Sequence, residues 1–151
     1  MATGPLNTNL IQLNPYSQRP CHVHDDPYTP VKIWQLQWEF ETLLKIYKEA
    51  RPLFVLEIGS ASGGTLYHWL KNARDAAVVI SVDMGSLEVE QWQGWAKDTA
   101  ILRRIDGNSR LESTYQAVKD VLQDYKPVLG PTPLIDFLFI DGDHSYACLL
   151  Y

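Results

Sequence analysis

The feature that most constrains this chain is an apolar strand followed by a glycine-rich turn, which together span residues 54–65 as FVLEIGSASGGT. Its nearly continuous apolar run is typical of a strand that is buried on both faces of a parallel sheet. The acid near its end, Glu57, is costly to bury unless another group pairs with it. The glycines that follow, including Gly59 and Gly63, let a ligand approach the backbone closely. The segment therefore predicts a binding cleft at the carboxyl edge of a parallel sheet.

Helical and strand patterns alternate along the chain after residue 30. Apolar residues at helical spacing predict helices, and short apolar runs predict the strands between them. In chain order, the predicted elements are a helix over 31–50, a strand over 53–58, a helix over 64–73, a strand over 78–82, a helix over 87–98, a strand over 100–105, a helix over 110–125 and a strand over 135–140. This alternation predicts a Rossmann-like α/β fold, in which helices flank a parallel sheet and the crossovers are right-handed.

The chain divides into an N-terminal arm and one folded domain. Residues 1–30 hold five of the nine prolines and little periodicity, so they are predicted to form an extended arm. Pro30 is tolerated at a helix start, and the domain is predicted to occupy residues 31–151. A cluster of metal-binding residue types lies within the arm, but its spacing matches no closed zinc site, which favours a polar loop. The cluster consists of Cys21, His22, His24, Asp25 and Asp26.

Charge and cysteine content exclude several classes of protein. The net charge of −5 and the scattered basic residues argue against a nucleic-acid surface, which needs clustered Lys and Arg. No apolar run approaches the roughly 20 residues that span a bilayer, and the N-terminus has no secretory signal pattern. The two cysteines, Cys21 and Cys148, lie far apart in the sequence, which favours a reduced, cytoplasmic protein.

Three classes of cofactor compete for the glycine-rich turn. A dinucleotide fingerprint needs Gly-x-Gly-x-x-Gly, but Ala61 stands where the middle glycine admits the pyrophosphate. A phosphate-binding P-loop needs a lysine after its last glycine, whereas Thr65 follows Gly64 here. S-adenosylmethionine has no phosphate and carries an ammonium and a sulfonium, so an acid such as Glu57 suits it. The turn therefore favours S-adenosylmethionine.

Asp83 indicates that the ligand contains a nucleoside. It ends the second strand of the predicted sheet, 24 positions after Gly59. A carboxylate at that position accepts hydrogen bonds from both hydroxyls of a ribose. Nicotinamide enzymes use an acid in the same place, so Asp83 alone identifies a nucleoside and leaves the cofactor open.

A second group of polar residues follows the last predicted strand. Asp141 and Asp143 stand two positions apart, and oxygen ligands of this kind suit a hard cation such as Mg²⁺. A site role is favoured for Asp141 over plain turn chemistry, because titratable residues directly after an apolar strand are costly to order. His144 serves either as a general base for a hydroxyl or as a turn residue that caps the next helix.

Four motifs, in this order, carry a resemblance to a known family: FVLEIGSASGGTLYHWL, VVISVDM, IDGNS and DFLFIDGDHSY. Across residues 35–147, the chain resembles the class I S-adenosylmethionine-dependent methyltransferases. The similarity is strongest to the branch that contains the macrolide-sugar O-methyltransferases and the cephalosporin-hydroxylase-like proteins. It implies that the four predicted strands are part of a methyltransferase sheet that is normally seven-stranded.

The resemblance also implies roles for individual residues. The methionine part of the cofactor is assigned to the glycine turn, the ribose to Asp83, and the adenine to Asn108 and Ser109. Many relatives carry an aspartate in place of Asn108, and an amide still hydrogen-bonds the adenine edge. The full set of predicted cofactor-binding residues is Glu57, Gly59, Ser60, Gly63, Asp83, Asn108, Ser109 and Asp141.

The catalytic assignments follow from the same resemblance. In the resembling O-methyltransferases, the acid after the fourth strand joins further acids around a divalent metal, which orients the acceptor hydroxyl and lowers its pKa. Asp141 and His144 are therefore the predicted catalytic residues. Asp141 and Asp143 are the predicted ligands of a metal such as Mg²⁺.

The predicted function is methyl transfer to a sugar or another small hydroxylated acceptor, or the cofactor-binding part of such an enzyme. The chain stops at Tyr151, where relatives continue with further strands, so a truncated site is expected. The alternative is a non-catalytic remnant that binds a nucleoside or self-associates. An exposed sheet edge would favour a homo-oligomer by pairing with a second copy.

Overall fold

The computed structural model describes residues 20–22, 32–85, 92, 94–96, 100–126 and 134–142. In chain order, its strands and helices are β1 (Pro20–His22), β2 (Lys32–Leu36), α1 (Gln37–Ala50), β3 (Phe54–Ile58), α2 (Gly64–Lys71), β4 (Val78–Asp83), β5 (Ile101–Asp106), α3 (Glu112–Asp124) and β6 (Phe137–Ile140). None of these described helices is long and apolar enough to cross a membrane.

A parallel sheet of four strands lies at the centre of the domain, in the order β5-β4-β3-β6. Each neighbouring pair runs parallel, and the pairing places Glu57 between Ser81 and Phe139. The Rossmann-like α/β sheet that the sequence predicts is confirmed. Because the four strands point the same way, their carboxyl ends lie along one edge of the sheet, where the functional loops begin.

Helices pack on the two faces of this sheet through separate apolar clusters. Successive side chains of β3 point in opposite directions, with Val55 in one cluster and Leu56 in the other. On the first face, α1 and α2 contribute Tyr47 and Trp69, which are both fully buried. On the second face, α3 packs through residues such as Val118. Burial on both faces explains why β3 has an almost entirely apolar sequence.

The region before β3 differs from the helix predicted over 31–50. Residues Lys32–Leu36 form β2, which pairs antiparallel with β1, and α1 begins only at Gln37. Leu36 has an extended backbone, with φ −66° and ψ 131°, directly before the helix. An apolar residue such as Ile33 suits a strand as well as a helical stripe, so pairing with β1 decides the conformation. The predicted helix is therefore wrong over the residues of β2 and correct from Gln37 onward.

Two predicted parts of the chain lie largely outside the described residues. Of the predicted arm, only Pro20–His22 is described, as the strand β1. Of the predicted helix over 87–98, only Trp92 and residues 94–96 are described. Trp92 and Trp95 are both buried, with their ring centroids 6.2 Å apart, and they belong to the apolar cluster of α1 and α2.

Candidate functional site

A cleft of about 330 Å³ opens at the carboxyl edge of the sheet. The ends of all four parallel strands contribute to it, with Gly59 after β3, Asp83 at the end of β4, Asn108 and Ser109 after β5, and Asp141 after β6. These are five of the eight cofactor-binding residues that the sequence predicts. The structure therefore brings together residues that are widely separated in the chain.

Two glycines of the turn after β3 allow the chain to cross itself closely. Gly59 has a φ of +90°, and a Cβ atom there would lie 2.5 Å from the carbonyl oxygen of Asp141. Gly63 has a φ of +86°, and a Cβ atom there would lie 2.7 Å from Nε1 of Trp92. Both positions suit glycine alone. The turn thus needs its glycines for contacts within the chain, whereas the sequence pattern indicates only the approach of a ligand.

The carboxyl group of Glu57 is fully buried, and Glu57 is not among the described residues that line the cleft. It accepts hydrogen bonds from Ser60 Oγ at 2.7 Å, from Thr65 Oγ1, and from Trp69 Nε1 at 3.2 Å. Burial raises the pKa of Glu57 to about 7, the hydrogen bonds oppose that rise, and the charge of Asp141 adds to it. The chain itself supplies the partners of this acid, and direct contact of Glu57 with a cofactor stays a prediction.

Ser60 extends the hydrogen bonds of Glu57 to the neighbouring strand. Its hydroxyl oxygen lies 2.7 Å from Oγ of Ser81, so β3, its turn and β4 are joined. The sequence motif points to Glu57 and Ser60 but gives no sign of their partners. The sequence carries no local signal for Ser81, because the strand register sets its place directly beside Glu57. The complete buried carboxyl network consists of Glu57, Ser60, Thr65, Trp69 and Ser81.

Asp83 lies at the rim of the cleft and also holds the turn after β3. Its Oδ2 accepts a hydrogen bond from the backbone N–H of Ala61 at 2.8 Å. Ala61 has a φ of +46°, in the left-handed region that residues with a side chain seldom adopt. A carboxylate has capacity for several hydrogen bonds, so the same group remains able to bind ribose hydroxyls.

Asn108 stabilises the turn after β5 through its side-chain carbonyl oxygen. This oxygen accepts a hydrogen bond from the backbone N–H of Arg110 at 2.9 Å. The neighbouring Gly107 donates its backbone N–H to the carbonyl oxygen of Asp83 at 2.9 Å, which fixes the turn against the end of β4. The amide NH₂ of Asn108 is then the group that suits a ligand acceptor. The adenine contacts of Asn108 and Ser109 stay predictions.

Asp141 joins the loop after β6 to the rest of the cleft. Its backbone N–H donates to the carbonyl oxygen of Ile58 at 2.8 Å. Its Oδ2 accepts a hydrogen bond from Nε2 of Gln35. The sequence gives no sign of this contact, because Gln35 comes from β2 and lies 106 positions before Asp141.

The predicted metal site and general base fall only partly within the described residues. Asp143 and His144 lie outside them, so the metal pair and the base stay predictions. The described part of the chain contains no group of three or more His, Cys, Asp or Glu side chains that could hold a metal ion. The side chains of the N-terminal cluster around Cys21 likewise lie outside the described positions.

The charges that line the cleft suit a nucleoside ligand that carries a positive charge. Among the described lining residues, Asp83 and Asp141 are acids and Arg110 is the one base. The carboxylate of Asp141 repels a diphosphate but attracts an ammonium or a sulfonium, whereas Asp83 suits the ribose of any nucleoside. The electrostatics therefore agree with the cofactor class that the glycine turn favours.

Several solved structures align with this chain at low sequence identity. A protein assigned as an O-methyltransferase from Klebsiella pneumoniae aligns with a TM-score of 0.46 and 16% identity, over 71% of this chain and 44% of its own. The O-methyltransferase from Bacillus cereus in complex with SAH aligns with a TM-score of 0.41 and 18% identity, over 71% of this chain and 45% of its own. The structure named cmcI-N160 SAH aligns with a TM-score of 0.46 and 14% identity, over 96% of this chain and 68% of its own. The chain thus spans less than half the length of the first two.

The sequence itself matches a family of protein domains. A search of curated protein sequences finds no match to this chain. The family described as a methyltransferase domain matches residues 56–150, which is more than half of the chain. The matched region includes the ends of all four strands that line the cleft. The chain therefore belongs to the methyltransferase domain family.

Proposed function

We propose that this chain binds S-adenosylmethionine in the cleft and takes part in methyl transfer to a small hydroxylated acceptor, such as a sugar. The proposal is based on one cleft in a chain of the methyltransferase domain family. This cleft is lined by Gly59, Asp83, Asn108 and Asp141. Ligands of open α/β sheets bind outside the carboxyl ends of the strands, which is where this cleft lies.

The lining groups match the separate parts of this cofactor. Asp83 offers its carboxylate to the ribose hydroxyls, and Asn108 and Ser109 offer an amide and a hydroxyl to the adenine edge. Gly59 leaves the backbone open to close approach. The carboxylate of Asp141 attracts the ammonium or the sulfonium of the cofactor. Each proposed contact uses a group that the structure places at the cleft.

Glu57, Ser60 and Gly63 contribute to binding by shaping the turn that carries Gly59. The buried carboxyl network anchors this turn to β3 and β4. Gly63 has left-handed backbone at the start of α2, where it lies against the buried tryptophan Trp92. A turn that is held in place before the ligand arrives loses little conformational entropy on binding.

We extend the proposal to the chemical step of methyl transfer. Bound S-adenosylmethionine would supply the methyl group of its sulfonium. A hydroxyl oxygen would attack the methyl carbon as it loses its proton, the carbon–sulfur bond would break, and S-adenosylhomocysteine would leave. We assign the base role to His144, since imidazole accepts a proton near neutral pH. Asp141 and Asp143 would hold a cation such as Mg²⁺, which would orient the acceptor. Loss of Mg²⁺-dependent turnover in Asp141→Asn, in a variant that still binds cofactor, tests this part.

Calorimetry with S-adenosylmethionine and S-adenosylhomocysteine tests the proposal as a whole. The wild type is expected to bind both ligands, and Asp83→Ala is expected to weaken binding by about tenfold or more, because the ribose loses its acceptor. Asp124→Ala is the control, since Asp124 is exposed at the far end of α3. A wild-type sample that is folded by circular dichroism and binds neither ligand contradicts the proposal.

A further inference from the structure

The side chain of Gln35 reaches the cleft from outside the region that the family match covers. Gln35 lies on β2, and its Nε2 donates a hydrogen bond to Oδ2 of Asp141. The family match begins at residue 56, so β1 and β2 both precede it. The hydrogen bond therefore links an N-terminal segment of this chain to one wall of the proposed cofactor cleft.

The strand β2 is fixed to the core of the domain two residues before Gln35. Ile33 is 2% exposed and belongs to the same apolar cluster as Trp69. Gln35 follows Ile33 by two positions and is itself partly buried, within a stretch of β2 whose pairing register with β1 is irregular. The strand pairs with β1 at its two ends, through Lys32 and Leu36, and α1 begins directly after it at Gln37. Gln35 is therefore carried by an anchored strand.

The chemistry of the pair decides which way the amide of Gln35 points. An ionised carboxylate only accepts hydrogen bonds, so the amide NH₂ faces Asp141 and Oε1 points away from it. Oε1 is buried and has no hydrogen-bond partner among the described residues. A buried acceptor without a donor is costly, and the hydrogen bond to Asp141 offsets part of that cost. The orientation of the amide is thus set by its contact with Asp141.

We infer that Gln35 is a positioning residue of the methyltransferase site, which fixes the side-chain conformation of Asp141 at the wall of the cleft. The inference rests on the proposed function, because Asp141 needs a fixed orientation only if the cleft holds a ligand. A carboxylate that is already held loses less rotational freedom when a ligand binds. The two-stranded sheet of β1 and β2 is then part of the binding site.

A double-mutant cycle in ligand affinity tests this role. Gln35→Met keeps the length of the side chain but removes the donor, and we expect it to weaken S-adenosylhomocysteine binding about tenfold. Asp141→Ala should weaken binding as well, and adding Gln35→Met to it should cause no further loss. Additive losses would overturn the inference, because a residue that acts only through folding does not depend on Asp141.

A second glutamine–aspartate pair of the chain provides a matched control. Gln116 on α3 donates to Oδ1 of Asp120 at 2.7 Å on the exposed surface. We expect Gln116→Met to leave the affinity unchanged within about twofold, because this pair lies apart from the cleft. A loss as large as that of Gln35→Met would overturn the inference. Thermal unfolding followed by circular dichroism shows whether either variant acts through stability.

A measurement on the ligand-free protein separates this inference from the proposed function. In ¹H-¹⁵N NMR spectra, the side-chain amide signals of Gln35 are expected to shift when Asp141 is replaced by alanine. The absence of a shift overturns the inference, whether or not the protein binds a cofactor. If the amide signals shift but the folded protein binds no cofactor, the contact between Gln35 and Asp141 is supported. The proposed function is then overturned, and the positioning role with it.

Discussion

The turn after β3 lies between two regions that both contain acids but use them differently. Beneath the turn, Glu57 is fully buried and accepts hydrogen bonds from side chains of the chain itself. At the rim, Asp83 and Asp141 are partly exposed and line the cleft, although each also accepts a hydrogen bond from the chain. An acid near the end of a strand is therefore not by itself a ligand contact, because its depth below the turn decides its role.

Replacing Gly59 is expected to have the largest effect, because both regions depend on it. In Gly59→Ala, the added Cβ atom would lie 2.5 Å from a backbone oxygen at a φ of +90°. We expect a loss of about 3 kcal/mol or more in the free energy of unfolding, measured by urea denaturation, together with loss of cofactor binding.

Gly85 offers a matched control for this substitution. It also has a positive φ, +124°, but among the described residues nothing other than its chain neighbours lies within 4 Å of a Cβ built there. Gly85→Ala therefore tests backbone strain without a collision, and about 1 kcal/mol is expected. Equal losses of unfolding free energy in the two variants would mean that the close contact between Gly59 and the backbone of Asp141 does not contribute to the loss.

The pH dependence of stability probes the region beneath the turn. The pKa of Glu57 is about 7 in the folded protein, compared with an ordinary value of 4.5. The folded state thus holds this proton more tightly than the unfolded state. The contribution of Glu57 to stability is expected to be greatest below about pH 4.5 and to fall by about 3 kcal/mol as the pH rises to about 7. Glu57→Gln should remove this part of the profile in urea denaturation, and an unaltered profile would contradict the assignment.

At the rim, Asp83→Asn is expected to change binding much more than stability. The amide oxygen of the new side chain still accepts the hydrogen bond from Ala61, so the turn keeps its support. We expect the cofactor affinity to fall about tenfold in calorimetry, while the free energy of unfolding changes by less than about 0.5 kcal/mol. A variant that loses stability and keeps its affinity would assign Asp83 to the same role as Glu57.

A smaller effect of opposite sign is expected from His68. Burial beside Phe40 and Tyr67 lowers the pKa of His68 to about 4, and the charge of Lys48 lowers it further. Since the unfolded state binds this proton more tightly, stability should fall as the pH drops from about 6.5 towards 4, by about 1 kcal/mol after solvent screening. In the Glu57→Gln variant, where the larger and opposite contribution of Glu57 is removed, urea denaturation should show this loss of stability at acid pH. A flat profile in that variant would contradict the role of His68.

The sheet and the rim of the cleft could be predicted from the sequence, because their signals are local. A buried parallel strand needs a continuous apolar run, and polar residues such as Asp83 and Asp141 directly follow such runs. The network partner Ser81 could not be predicted, since its place beside Glu57 depends on strand register. Gln35 could not be predicted either, because a contact across 106 positions leaves no local pattern.

The close contact between Gly59 and Asp141 has a consequence for the order in which parts of the protein fold. In the described sheet, β3 and β4 are near neighbours in the chain, whereas β6 reaches β3 only after a long intervening segment. Closing such a long loop costs more entropy than closing a short one, so this contact is expected to form late in folding. During synthesis, the first strands can pair while the ribosome is still adding the rest. The cofactor cleft then takes shape last, when the loop after β6 closes onto Gly59.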